Sequence, residues 1–172
     1  MGAGILPIAE YNGKIYFLFG QESYDKTWSD FGGRPEPKSE PIFKTAIREG
    51  YEETNGFLGT KTDLIKIVND NSIMKLDNTD NKYHSYLFMI PYDPFLPTYF
   101  NNHHKFMKTN FSDKINKNGY FEKSKMQWFS KNDLIKEKSK FRLFYKDIVQ
   151  QIIDKYDIIY KIITNLKIKN KV

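Results

Sequence analysis

Short apolar runs separated by polar turns fill the first fifth of the chain. Residues 5–8 and 15–19 flank Tyr11-Asn12-Gly13-Lys14, and Asn-Gly between two such runs predicts a β-hairpin. Residues 21–27 are polar and read as a loop, after which Trp28-Ser29-Asp30-Phe31 leads into Gly32-Gly33. The period then changes. Phe43, Ala46, Ile47 and Gly50 recur at helical spacing, with Pro41 suited to a first turn, Ser39 or Glu40 as candidate cap, and Asn55-Gly56 as the stop. A helix is predicted from about 41 to about 54.

Farther along, 64–68 reads as a strand, 69–82 as a turn or mobile loop, and 85–91 as a buried strand. From 91 to about 119 periodicity fails, which predicts a long irregular insertion that carries function or moves. A strand at 125–129 and a short helical turn at 132–134 follow. From Phe141, the positions Phe144, Tyr145, Ile148, Ile152, Tyr156 and Ile159 predict one long amphipathic helix, ending in a basic tail at about 167–172. No internal repeat or second-domain boundary is visible, and one domain over 1–172 is the expectation from length.

Composition narrows the class. With 40% hydrophobic and 28% charged residues the chain reads as globular. The absence of cysteine excludes a disulfide framework and a cysteine-based zinc site. No run approaches the roughly 20 apolar residues that span a bilayer. Residues 1–6 lack the basic region of a signal peptide, and Leu6 stands where myristoylation would need Ser or Thr. A cytoplasmic location without membrane partners is therefore expected, in the host cytoplasm if the chain is viral. The net charge is +6, and among 27 basic residues only Arg34, Arg48 and Arg142 are arginine. A positive balance favours a polyanion such as a nucleotide or RNA.

The densest chemistry follows the glycines. Glu49, Glu52 and Glu53 sit at spacings that stack side chains along one helical stripe, near the negative end of the helix dipole. Like charges held this way ask for a cation. Oxygen donors without cysteine point to magnesium or manganese rather than zinc.

Arg48-Glu49-Gly50-Tyr51-Glu52-Glu53, with Glu40 separated from Arg48 by seven residues and Gly32-Gly33 ahead of it, resembles the box of the Nudix hydrolases. The match covers about two dozen residues and departs from the family pattern in three places. Six residues rather than five separate Gly33 from Glu40, Gly50 replaces an aliphatic residue, and Asn55 stands where a glycine is usual. The resemblance implies an α/β/α sandwich: a mixed sheet with the box helix on one face and the C-terminal helix on the other. It further implies a diphosphatase, hydrolysing a nucleoside diphosphate linked to another moiety with Mg2+ or Mn2+ held by Glu49, Glu52, Glu53 and the carbonyl of Gly33. Glu40 would be an outer ligand, and Arg48 would hold Glu52.

Family members often use a further acid just before a Trp-containing strand, which nominates Glu122, with Asp113 and Glu137 as rivals. Arg34, Trp28, Tyr24 and His103 are the candidate substrate-binding residues. Two substrates remain open. One is the mRNA 5′ cap, given the basic balance and a resemblance to Nudix decapping enzymes of large DNA viruses. The other is a small soluble diphosphate: a dinucleoside polyphosphate, a nucleotide sugar or an inositol pyrophosphate. A Nudix-fold binding module without catalysis is the alternative from another class.

Overall fold

The computed structural model describes residues 1–80, 82–115 and 119–169, excepting the side chains of 167–169. A seven-stranded mixed sheet forms its centre, in the order β3-β2-β1-β6-β5, with β4 also on β1 and β7 also on β2. The first hairpin joins β1 (Gly2–Tyr11) to β2 (Lys14–Glu22). Its turn residues Asn12 and Gly13 both take positive φ, the tight turn that suits the twist of paired strands. β1 is buried along eight consecutive residues because it lies inside the sheet, parallel to β6 (Tyr83–Met89) on one side. On its other side it pairs antiparallel with β2 and with β4 (Phe31–Gly33). β3 (Trp28–Ser29) and β7 (Lys123–Ser130) both pair with β2, and β5 (Ser72–Asp77) closes the far edge on β6.

Alternation along β1 and β2 divides the core in two. Ile5 and Leu18 face α1 (Ile42–Glu53), α2 (Lys61–Asp70) and α3 (Leu96–Asn110), packing with Ala46, Leu64 and Phe100. Leu6, Ile8, Phe17 and Phe19 face the opposite layer, where Ile148 and Ile152 of α5 (Lys146–Asp154) meet Ile159 and Ile163 of α6 (Tyr156–Lys169). The short α4 (Lys131–Glu137) follows β7. This is the expected α/β/α sandwich, with the glutamate helix and the C-terminal helices on opposite faces.

Several local expectations are corrected. Residues 64–68 are helical, within α2. Apolar positions 64, 65, 67 and 68 fit either period, and the reciprocal cap between Thr60 and Asp63 decides for helix. The segment 69–82 contains β5 rather than being all loop. The stretch 91–119 is not irregular throughout, since 96–110 form α3 with Pro97 in its first turn. Only Phe100 and His104 of α3 are buried, while Tyr99 and Phe106 lie exposed, so its apolar stripe is too thin to register as a period. Residues 116–118 of that stretch lie outside the described residues. The single C-terminal helix is instead a 3₁₀ turn (Leu143–Tyr145) followed by α5 and α6, and neither Gly nor Pro marks the break at Lys155. The side chains of the basic tail from 167 lie outside the described residues.

Gly50 has a steric reason. A Cβ there would lie 2.4 Å from Ile5 Cδ1 and 2.6 Å from Cγ1, so glycine lets α1 sit close on β1. Helix propensity is sacrificed for proximity between the glutamates and the end of β4.

Candidate active site

Arg48 organises the outer side of α1. Its guanidinium donates to Glu40 Oε2 at 3.1 Å and to Glu52 Oε2 at 3.0 Å, lies 3.1 Å from Glu49 Oε1, and donates to the Arg34 carbonyl at 2.8 Å. One side chain thereby ties the loop after β4 to the helix. Glu40 also accepts from the Thr45 hydroxyl and the Glu36 N–H. Burial pushes its carboxyl up, but the hydrogen bonds from Arg48, Glu36 and Thr45 outweigh it and hold the group at about 2. Glu40 is thus a fully engaged anchor.

Glu49 is the opposite case. Burial raises its carboxyl to about 7; Arg48 opposes the shift, and the charges of Glu52 and Glu122 add to it. Its carboxyl group crowds the Gly33 backbone so closely that a Cβ on Gly33 would lie 2.5 Å from Glu49 Cδ. Glu52 is paired with Arg48 and with Lys61, the latter at 3.4 Å. Glu122, just before β7, is exposed, yet its carboxyl is raised, first by desolvation and then by Glu22 and Glu52. Asn55 holds this segment in place. It sits in the left-handed region at φ 51°, and its side-chain oxygen accepts from the Phe121 N–H at 3.1 Å.

Glu53 turns inward and is 2% exposed. Its Oε2 accepts from the Gly32 N–H at 2.6 Å, and its Oε1 lies 3.4 Å from the ammonium of Lys123. The predicted stripe therefore divides, with Glu49 and Glu52 outward and Glu53 in the core. Burial raises the Glu53 carboxyl against the pull of Lys123. Lys123 is itself held charged, because Glu53 and Glu22 outweigh its desolvation. Among the described residues, no three His, Cys, Asp or Glu side chains form a group that could hold a metal ion as they stand.

Beside these carboxylates opens a cleft of about 860 Å³. Gly33 belongs to both: it lines the cleft, and its backbone crowds the Glu49 carboxyl, which does not itself line the cleft. Arg34, Lys38, Lys82 and Arg142 bring positive charge to the walls and Glu36 and Asp80 negative charge, Asp80 being paired with Lys82, with Tyr83 and Phe144 as aromatic surface. Arg142 lies 5.0 Å from the centre of the Phe144 ring and donates to Glu22 at 3.0 Å.

The remaining candidates separate. Arg34 is at the cleft. Tyr24 is 72% exposed and its hydroxyl accepts from Arg142, which lines the cleft. Trp28 is not available for stacking on a substrate, being 6% exposed and packed edge-on to Phe129 in the core. Short strand β3, directly after the segment that reads as polar loop, puts it there. His103 lies on α3 between the rings of Phe57 and Phe121, away from the residues that line the cleft. Asp113 pairs with Lys114 and Glu137 with Lys140, each on its own local segment.

Sequence reasoning missed Glu22, Lys123, Asp30 and Arg142. Asp30 is fully buried, accepting from the hydroxyls of Tyr83 and Ser85 at 2.6 Å each. Burial raises its carboxyl to about 6. One signal was present: Glu22 lies on the same face of its strand as Leu18 and Gly20, an inward position.

No model of a known protein family matches the chain. A NUDIX-hydrolase candidate of Listeria monocytogenes shares 15% identity, with 91% of this chain and 94% of that one covered and a TM-score of 0.50. The chain has the Nudix fold. An Ap4A hydrolase of C. elegans in a binary complex is covered over its whole length and over all of this chain, at 18% identity and a TM-score of 0.48. At such identities the likeness is one of fold. A 58-residue stretch is 43% identical to an uncharacterized protein of Acanthamoeba polyphaga mimivirus, covering 31% of this chain and 19% of that protein. Within the Nudix fold, the two faces of α1 put Glu49 and Glu52 outward beside the cleft and Glu53 inward.

Proposed function

We propose that the chain is a divalent-cation-dependent pyrophosphohydrolase acting on a nucleoside diphosphate linked to another moiety. One observation carries this reading: Gly33 joins a cleft of nucleotide size, lined by four basic and two acidic residues, to Glu49, whose charge Arg48 does not fully compensate. Small-molecule sites commonly enclose ~300–1,000 Å³, and the cleft falls in that range. Oxygen donors suit Mg2+ or Mn2+, and the raised carboxyls of Glu49 and Glu122 mark where positive charge is in demand.

Glu49 and Glu52 would hold the cation, which when bound offsets charge on phosphoryl oxygens and makes water a better nucleophile. The protein's own groups do the rest. Arg34 and Lys38 bind the diphosphate, Arg48 orients Glu52, and Arg142 with Phe144 offers a cationic and aromatic wall to the attached base. Glu122, its carboxyl raised from the ordinary value by desolvation, takes a proton from the attacking water.

Within this class we propose the mRNA 5′ cap as substrate, supported by the net charge of +6 and the positive cleft walls. Small soluble diphosphates are the alternative. A hydrolysis panel with Mg2+ and with Mn2+, comparing cap-labelled RNA, free cap analogue, a dinucleoside polyphosphate, a nucleotide sugar and an inositol pyrophosphate, tests both. Turnover on capped RNA that falls steeply with salt supports the cap. Faster, salt-insensitive turnover of a small diphosphate replaces it. One observation favours a catalytically silent binding module, namely that among the described residues no three carboxylates are grouped as they stand. Binding of a panel member without turnover, at an affinity that ignores Mg2+, would establish that reading instead.

A further inference from the structure

Lys123, the first residue of β7, is fully enclosed. Its ammonium donates to Glu22 Oε1 at 2.5 Å and to Ser29 Oγ at 2.7 Å, and forms an ion pair with Glu53 Oε1 at 3.4 Å. The chain makes room for it. A Cβ on Gly20 would lie 2.9 Å from both Cγ and Cδ of Lys123, so glycine at that position lets the lysine stem pass. Glu53 is engaged on both oxygens, by Lys123 and by the Gly32 N–H.

The side chains of Glu49 and Glu52 are 14% and 15% exposed, against 3% for Glu53. Solvent and ions reach the first two and not the third. An ammonium and a divalent cation on one carboxylate would also repel each other in a medium that screens poorly. Lys123 cannot swing aside without taking from Glu53 its paired ammonium and leaving Glu22 to Arg142, a loss a buried carboxylate does not tolerate. Lys61, by contrast, whose ammonium is 3.4 Å from Glu52, has a side chain 48% exposed and can move off.

We infer that Lys123 is a built-in cation of this site: it neutralises Glu53 from inside, so that Glu53 positions the end of β4 and a single divalent cation is held on the outer side by Glu49 and Glu52. Lys123 is a positioning residue. The inference rests on the pyrophosphohydrolase reading and departs from the ligand set that the motif implies, in which Glu53 binds metal.

Mn2+ binding, counted by electron paramagnetic resonance with affinities from calorimetry, tests this on wild type, Glu49→Gln, Glu53→Gln and Lys123→Met, each checked for folding by circular dichroism. Wild type is expected to bind one ion per chain. Glu49→Gln weakens it by well over roughly 100-fold, whereas Glu53→Gln, acting from behind the ligands, weakens it by about tenfold, the low end for a residue that supports a ligand. Folded Lys123→Met takes up a second ion, because Glu22 and Glu53 then share no ammonium. If Lys123→Met does not fold, the wild-type count and the contrast between the two glutamines decide. Two or more ions on wild type, equal losses in Glu49→Gln and Glu53→Gln, or a folded Lys123→Met with one ion would each overturn the inference while leaving the enzyme reading intact. No ion on wild type would overturn both.

Discussion

Two carboxylates touch the same arginine and fare differently. Glu40, in the loop before α1, is held at about 2 by hydrogen bonds from Arg48, Glu36 and Thr45. Glu49, on the outer face of α1, stands at about 7, because burial and the charges of Glu52 and Glu122 exceed what Arg48 returns. Proximity to a guanidinium does not make a carboxylate satisfied; the other partners decide. The Glu40 region is a clasp that closes the loop on the helix. The Glu49 region, joined to the cleft through Gly33, is a surplus of negative charge. A fold that keeps both invests its arginine in the clasp and leaves the surplus for a ligand.

Removing the shared partner should break the comparison most severely. Arg48→Ala strands Glu40, whose side chain is 5% exposed, and releases the Arg34 carbonyl. A loss of about 3–5 kcal/mol in chemical denaturation is expected, the range for an unpaired buried charge.

The next effect has the opposite sign. Glu49 rises from 4.5 to about 7 on folding, so its ionised form is disfavoured in the fold. Wild type should therefore lose stability as pH rises from 4.5 through 7, by up to about 3 kcal/mol. Glu49→Gln should abolish that slope and be the more stable protein at pH 7 without divalent cation. Glu40 titrates the other way. Depressed from 4.5 to about 2, it contributes stability above 4.5 that is lost as pH falls through 2. With solvent screening at the loop discounted, Glu40→Gln should cost about 1–2 kcal/mol at pH 7 and flatten the acid limb. Urea midpoints between pH 2 and 8 distinguish the two slopes.

The smallest effect sharpens the outer region. Asn55→Ala removes the hydrogen bond to Phe121 from a position with φ 51°. About 1 kcal/mol of stability should go, together with faster amide exchange at Phe121 and Glu122.

Much of this was legible in the sequence, and for physical reasons. The hairpin at Asn12-Gly13 and the helix ending at Asn55 follow from local backbone preferences, and the Arg48–Glu52 pair follows from the four-residue spacing, 3.0 Å in the structure. What escaped depends on tertiary context. A charged residue in an apolar strand carries no period of its own, so beyond the inward position of Glu22 its pairing with Lys123 could not be read until β2 and β7 paired. The inward turn of Glu53 could not be read from a stripe of glutamates, since it depends on what lies beneath: Gly32 and Lys123. Trp28 looked like a stacking platform because two-residue strands such as β3 leave no pattern. The cleft, assembled from the N-terminus, the segments near 33 and 80, and Arg142 with Phe144, is non-local by construction.

The most direct test of the surplus at Glu49 is folding stability against Mg2+ concentration at pH 7.5, for wild type and Glu49→Gln side by side. A ligand that binds only the folded state adds about 2.7 kcal/mol at 100 times its dissociation constant. Wild type should gain stability in that manner and Glu49→Gln should not respond over the same range. Equal responses in both proteins, or none in either, would contradict the claim that the outer glutamates of α1 form the cation site.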